Sequence, residues 1–180
     1  MKRKIILTAF AATSVIFSST QAFGLINFSA GVPFSHTITG KYNDGTAIKS
    51  DGVSGMFIQV GVPMFPGVGI DNYKTGVKSE TTDVELDTTI YNLYYLLPIP
   101  VINLTLGVGA GSTELQCPAC SSYFEKGSAT QWYASFGMPI IPLFDLHLSY
   151  RSVSTKIKST VLPERDFGVN VMGLGMGFNF

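Results

Sequence analysis

Large apolar residues fall at every second position along most of this chain. The alternation is plainest in residues 167–180, where Met172, Leu174, Met176, Phe178 and Phe180 share one phase. Gly173, Gly175, Gly177 and Asn179 occupy the other. A period of two is that of a β-strand, whose successive side chains leave on opposite faces. Glycines build no soluble core, so the large residues must face an apolar solvent while the small ones line a narrow interior. That is the pattern of a membrane-spanning strand, apolar outside and small or polar inside.

Seven earlier segments repeat it. Residues 25–34 set Ile26, Phe28, Ala30, Val32 and Phe34 against Asn27, Ser29 and Gly31. Residues 53–62 set Met56, Ile58, Val60 and Val62 against Gly55, Phe57, Gln59 and Gly61. Residues 68–77 alternate poorly, because Asp71, Asn72 and Lys74 interrupt the apolar phase, which predicts a bulge or an early exit from the membrane. Residues 88–97 place Tyr91, Leu93, Tyr95 and Leu97 on one face, with Asn92 and Tyr94 on the other. Residues 102–111 alternate Ile102, Leu104, Leu106, Val108 and Ala110 with Asn103, Thr105 and three glycines. Residues 130–138 alternate Trp132, Ala134, Phe136 and Met138 with Gln131, Tyr133, Ser135 and Gly137. Residues 143–153 alternate Phe144, Leu146, Leu148 and Tyr150 with Asp145, His147, Ser149 and Arg151.

The connections come in two kinds. Residues 63–67, 98–100 and 139–142 are short, apolar and proline-bounded. Residues 36–51, 78–87, 112–129 and 155–166 are long, polar and rich in hydroxyls. Short turns at one end and long loops at the other predict an all-β fold, an eight-stranded antiparallel transmembrane β-barrel with short periplasmic turns and long extracellular loops. Closure between the first and last strands is required, since an open edge cannot sit in lipid. A soluble sandwich or lipocalin-like barrel also alternates, but its outer face would carry charges, and several of these strands are charged on neither phase.

Composition agrees. Charged residues make up 13% of the chain and aromatics 12%, with zero formal net charge. No basic run points to nucleic acid. Lys2, Arg3 and Lys4 precede an apolar run over residues 5–17, too short for a spanning helix, and small residues stand at Thr20 and Ala22. Residues 1–22 therefore read as a cleaved signal peptide and 23–180 as the barrel domain, with cleavage after Gly24 the alternative.

The terminal alternation ending on Phe180 resembles the last strand of small bacterial outer-membrane β-barrel proteins, OmpA/OmpX-like in size. That resemblance implies an assembly signal carried by Phe178 and Phe180 and read by the barrel-assembly machinery. It also implies residence in the outer-membrane bilayer.

Candidate chemistry is sparse. Asp145, His147, Ser149 and Arg151 would project into the lumen, joined by Asp71, Gln59, Gln131 and Glu114. Charges there must pair, which predicts a polar network plugging the barrel. The alternative is a polar constriction in a narrow pore, with inward Gly and Ser leaving internal space. His147-Leu148-Ser149 is similar to the His-x-Ser pair of outer-membrane lipid A deacylases, in which a downstream acid, here Glu164, completes a triad. Tyr150 stands where those enzymes have Asn, and the alternation turns His147 into the lumen, away from lipid. Cys117 and Cys120 lack the His that haem attachment needs and the further ligands that zinc needs, and in an oxidising compartment they predict a local disulfide. Tyr91, Tyr95, Trp132, Tyr150 and Phe178 read as interfacial girdle residues. No motif calls for a cofactor. The expected function is non-enzymatic, an envelope-structural or surface-interaction role with an unnamed extracellular ligand. A pore or carrier for small molecules is the first alternative and the lipid-modifying enzyme the second.

Overall fold

The structure is a computed structural model, and it describes residues 26–39, 48–78, 84–99, 102–117, 124–141, 143–157 and 165–180. Eight strands follow one another: β1 Asn27–Ile38, β2 Ser50–Gly61, β3 Gly67–Val77, β4 Val84–Ile99, β5 Ile102–Gln116, β6 Gly127–Ile141, β7 Phe144–Ile157 and β8 Arg165–Asn179. Each is antiparallel to its neighbour, and β1 closes on β8 to complete a barrel. The closure reaches the last residue: Ile26 N donates to Phe180 O at 3.1 Å and Phe180 N to Ile26 O at 2.9 Å. With those bonds made, the lower rim of the wall has no edge facing lipid.

The two phases separate as the alternation predicts. Four outward apolar positions form the belt on most strands, for example Leu104, Leu106, Val108 and Ala110 on β5 and Trp132, Ala134, Phe136 and Met138 on β6. Aromatics mark its rims. Trp132 and Tyr150 pack with centroids 5.7 Å apart at the upper one. Phe178 packs against Phe144 at 4.8 Å and against Phe28 and Phe180 at 6.4 Å at the lower one.

The strands run further than expected. Residues 84–87, 112–116, 127–129 and 155–157, assigned to loops by their polarity, are strand, and so is His36. A 15-residue strand such as β5 is about 50 Å long at about 3.3 Å per residue. Tilted by about 40° it still rises nearly 40 Å, well beyond an apolar band about 25 Å tall. Above the belt the outer face therefore meets water, so Ser112, Glu114, Ser128, Thr130, Ser154 and Lys156 are at home facing outward. The inner face becomes apolar at the same height, where Ile38, Ile48, Ile90, Ala129, Val153, Val169 and Val171 form the main buried cluster with Tyr73. The molecule is thus two stacked barrels in one wall: a membrane barrel below and, above it, a collar with the polarity of a soluble protein.

That inversion decides one expectation and corrects another. β3 carries no bulge against β4, its register running unbroken from Gly67–Tyr94 to Val77–Val84. It leaves the belt early instead: Asn72 faces outward and donates to Thr89 Oγ1 at 3.0 Å, and Lys74 pairs with Asp87 at 3.9 Å. Glu114 is not a lumen residue, because one phase past the inward Thr113 it points out of the collar. There it pairs with Lys126 at 2.8 Å, and this hydrogen bond raises the lysine's pKa.

Candidate functional site: the filled lumen

β7 places Asp145, His147, Ser149 and Arg151 on its inward face in order of height, and β3 brings in Asp71 from across the barrel. They form two groups. At the lower end His147 Nε2 and Asp145 Oδ1 are 2.6 Å apart. Asp145 Oδ2 accepts from Asn103 and from Asn179 Nδ2, the latter at 3.3 Å. Asn27 Nδ2 donates to Asn179 Oδ1 at 2.7 Å, tying β1 to β8 beside the chain's end.

At mid-height Arg151 reaches across the lumen. It is 1% exposed and its partner Asp71 0%. Its Nε donates to Asp71 Oδ2 at 3.0 Å and its Nη1 to Ser149 Oγ. The guanidinium lies 3.7 Å from the centroid of the Phe57 ring and 4.9 Å from that of Tyr133. Asp71 Oδ2 also accepts from Gln131 Nε2 at 2.7 Å. The Tyr73 hydroxyl is within reach of both Asp71 and Gln131 Oε1, donating to one at a time. Gln131 passes the network on to Asn92 Oδ1 at 2.9 Å. Below the arginine, Gln59 Nε2 donates to the Tyr133 hydroxyl at 2.7 Å and Ser29 Oγ to Gln59 Oε1 at 3.2 Å. An arginine suits this place, since its planar fork bonds a carboxylate edge-on while its faces stack on rings.

Five of the inward glycines face large rings. They are seats for large rings. A Cβ on Gly31 or Gly173 would strike Phe57, one on Gly107 would strike Tyr133, and one on Gly61 or Gly67 would strike Tyr94. Tyr73, on the poorly alternating third strand, was not legible as an inward residue; Phe57, Tyr94 and Tyr133 were. Their role was not, because it depends on a ring from one strand meeting a glycine from another.

His147 and Ser149 both face the lumen and are buried. Ser149 Oγ donates to Gly173 O at 3.2 Å while His147 engages Asp145, and neither is open to lipid from the belt side. Glu164 lies outside the described residues. So do Cys120 and residues 1–22; Cys117 directly follows β5.

A closed eight-stranded antiparallel barrel with an apolar belt and a filled polar lumen defines a class, the small outer-membrane β-barrels. This chain is one of them by fold. The structure resembles Neisserial surface protein A with a TM-score of 0.57 and 13% identity, over 86% of this chain and 97% of that one. It resembles Ail, the attachment invasion locus protein of Yersinia pestis, with a TM-score of 0.52 and 16% identity, over 87% and 99%. No family model matches the sequence, and no curated protein matches it.

Proposed function

We propose that the protein is a non-enzymatic integral protein of the bacterial outer membrane, a sealed anchor that holds its collar and loops above the bilayer. Its role is envelope-structural or surface-interacting. The observation that supports this reading is Arg151, with Asp71, Ser149, Phe57 and Tyr133 packed around it across the lumen. A guanidinium bonded through Nε and Nη1 and set against two rings leaves little room for a column of water beside it.

Mature protein folded in detergent should migrate differently boiled and unboiled on a denaturing gel, and should give no discrete conductance in a planar bilayer. Phe57→Ala removes the ring from one face of the arginine and should introduce flickering conductance steps. Discrete steps from the unaltered protein would replace the anchor with a pore. Full solubility without detergent and no mobility shift would remove the membrane assignment itself.

Export by a signal peptide cleaved after Ala22, and a disulfide between Cys117 and Cys120 that tightens the loop after β5, belong to the same proposal. So does reading of Phe178 and Phe180 by the assembly machinery. Deleting Phe180 removes both of its backbone bonds to Ile26. It should lower the heat-modifiable fraction recovered from membranes severalfold, measured by semi-native gel against total protein.

A further inference from the structure

The three short turns are apolar throughout. Residues 62–68, 96–102 and 138–144 contain no charged, hydroxyl or carboxamide side chain. Turns in water are ordinarily built from Gly, Asn, Asp and Ser, whose side chains or freedom of φ serve the backbone. Here Gly67 is the one such residue, and each segment instead carries two prolines: Pro63 and Pro66, Pro98 and Pro100, Pro139 and Pro142. The tips are open. Phe65 is 66% exposed and Ile140 67%, more than Leu106 within the belt at 48%.

Height gives a reason. The upper rim of the belt stands at Trp132 and Tyr150, above which Thr130 and Ser154 face outward to water. From Trp132 to Ile140, β6 covers about 26 Å of strand at about 3.3 Å per residue. Tilted by about 40° it descends about 20 Å, short of an apolar band about 25 Å tall. On β7 the descent from Tyr150 to Phe144 is shorter still. The band is complete only when the turns are counted in it.

Backbone chemistry agrees. Backbone outside a strand ladder is costly in hydrocarbon, because its donors find no water there. A proline has no N–H to leave unpaired. In the β2–β3 turn Phe65 N donates to Val62 O at 3.1 Å, and Met64 takes a φ of 69° between them. Glycine would adopt that left-handed conformation at lower cost, whereas methionine keeps the tip apolar. Beside this turn Phe65 and Pro66 flank a groove on the outer wall with Ile26, Val60, Val62 and Val68. Val60 and Val68 pair across β2 and β3 and belong to the belt, so the groove is continuous with the lipid-facing surface.

We infer that the turn end of the barrel is immersed in the adjacent leaflet. Phospholipid acyl chains cover Met64, Phe65, Ile140 and Ile141 and lie in the groove beside Phe65. The inference deepens the membrane reading above and rests on it. A partner that arrives through water then meets only the collar and loops, where Lys74, Asp87, Glu114, Lys126 and Lys156 supply outward charge.

Trp132 is the chain's one tryptophan, so Trp132→Phe gives a dark background for single reporters. Added to it, Phe65→Trp and Ile140→Trp report on two different turns, Leu106→Trp on the belt and Ser128→Trp on the collar. Each variant is folded into phosphatidylcholine vesicles and checked by heat-modifiable mobility. Its fluorescence is then quenched by acrylamide present on both sides of the membrane, and separately by phosphatidylcholine brominated on its acyl chains. Phe65→Trp and Ile140→Trp should follow Leu106→Trp, quenched by the brominated lipid and about threefold less by acrylamide than Ser128→Trp. Turn reporters that match Ser128→Trp, with Leu106→Trp still quenched by lipid, put the turns in water and overturn the immersion alone. Turn reporters shielded from both quenchers are covered by a second copy of this chain, which overturns lipid as the occupant. A Leu106→Trp reporter that brominated lipid leaves unquenched overturns the membrane reading itself.

Discussion

Arg151→Met is expected to lower the stability of the folded barrel by about 3–5 kcal/mol, because it leaves a buried carboxylate without its cation. Asp71 is wholly buried, and its remaining partners, Tyr73 and Gln131, are neutral donors. Neutral donors soften the loss but do not balance the charge at a fully buried position. Urea titration followed by the folded and unfolded bands on an unboiled gel reads the difference. The double variant Arg151→Met/Asp71→Asn should recover most of it, since an uncharged pair of similar volume carries a much smaller desolvation penalty. A single variant within about 1 kcal/mol of the parent, below the cost of breaking a buried pair, would mean that water reaches Asp71 and that the lumen is not sealed at this height.

That experiment probes a feature only half legible in the sequence. The inward phase of β7 put Asp145, His147, Ser149 and Arg151 in the lumen, because alternation in a clean strand assigns faces without knowledge of neighbours. Alternation alone does not assign height or partners. It did not show that Arg151 joins Asp71 while His147 joins Asp145 in a separate group. The inward glycines were open to misreading for the same reason: Gly173 and Gly107 look like empty space until Phe57 and Tyr133 arrive from other strands. Loop boundaries failed on solvent. A polar outward residue was taken as the end of a strand, yet Ser112 and Glu114 continue β5 in the same phase where water has replaced lipid. Glu114 was placed inside by its charge, against the phase of its own strand.

Leu106→Arg and Ser112→Arg test the change of solvent along one strand. Both positions face outward on β5, six residues apart, Leu106 within the belt and Ser112 in the collar. An arginine near the middle of the hydrocarbon costs about 2–4 kcal/mol. The same side chain on a water-facing strand should change stability by less than about 0.5 kcal/mol. The inner face should show the opposite dependence. Ile90 is fully buried in the collar, so Ile90→Ala leaves a cavity and should cost about 2–5 kcal/mol. Leu106→Ala leaves a hollow that lipid chains refill, and should cost much less. Unfolding measured in vesicles of one composition gives all four values on one scale. If Ser112→Arg costs as much as Leu106→Arg, the collar lies in the bilayer, and the polar outer face of β5 to β7 has to be satisfied by something other than water. If Ile90→Ala costs no more than Leu106→Ala, the upper lumen is not a packed core. The loops would then stand on a flexible rim, because the rigidity of the collar depends on that apolar interior and on no feature of the membrane barrel below it.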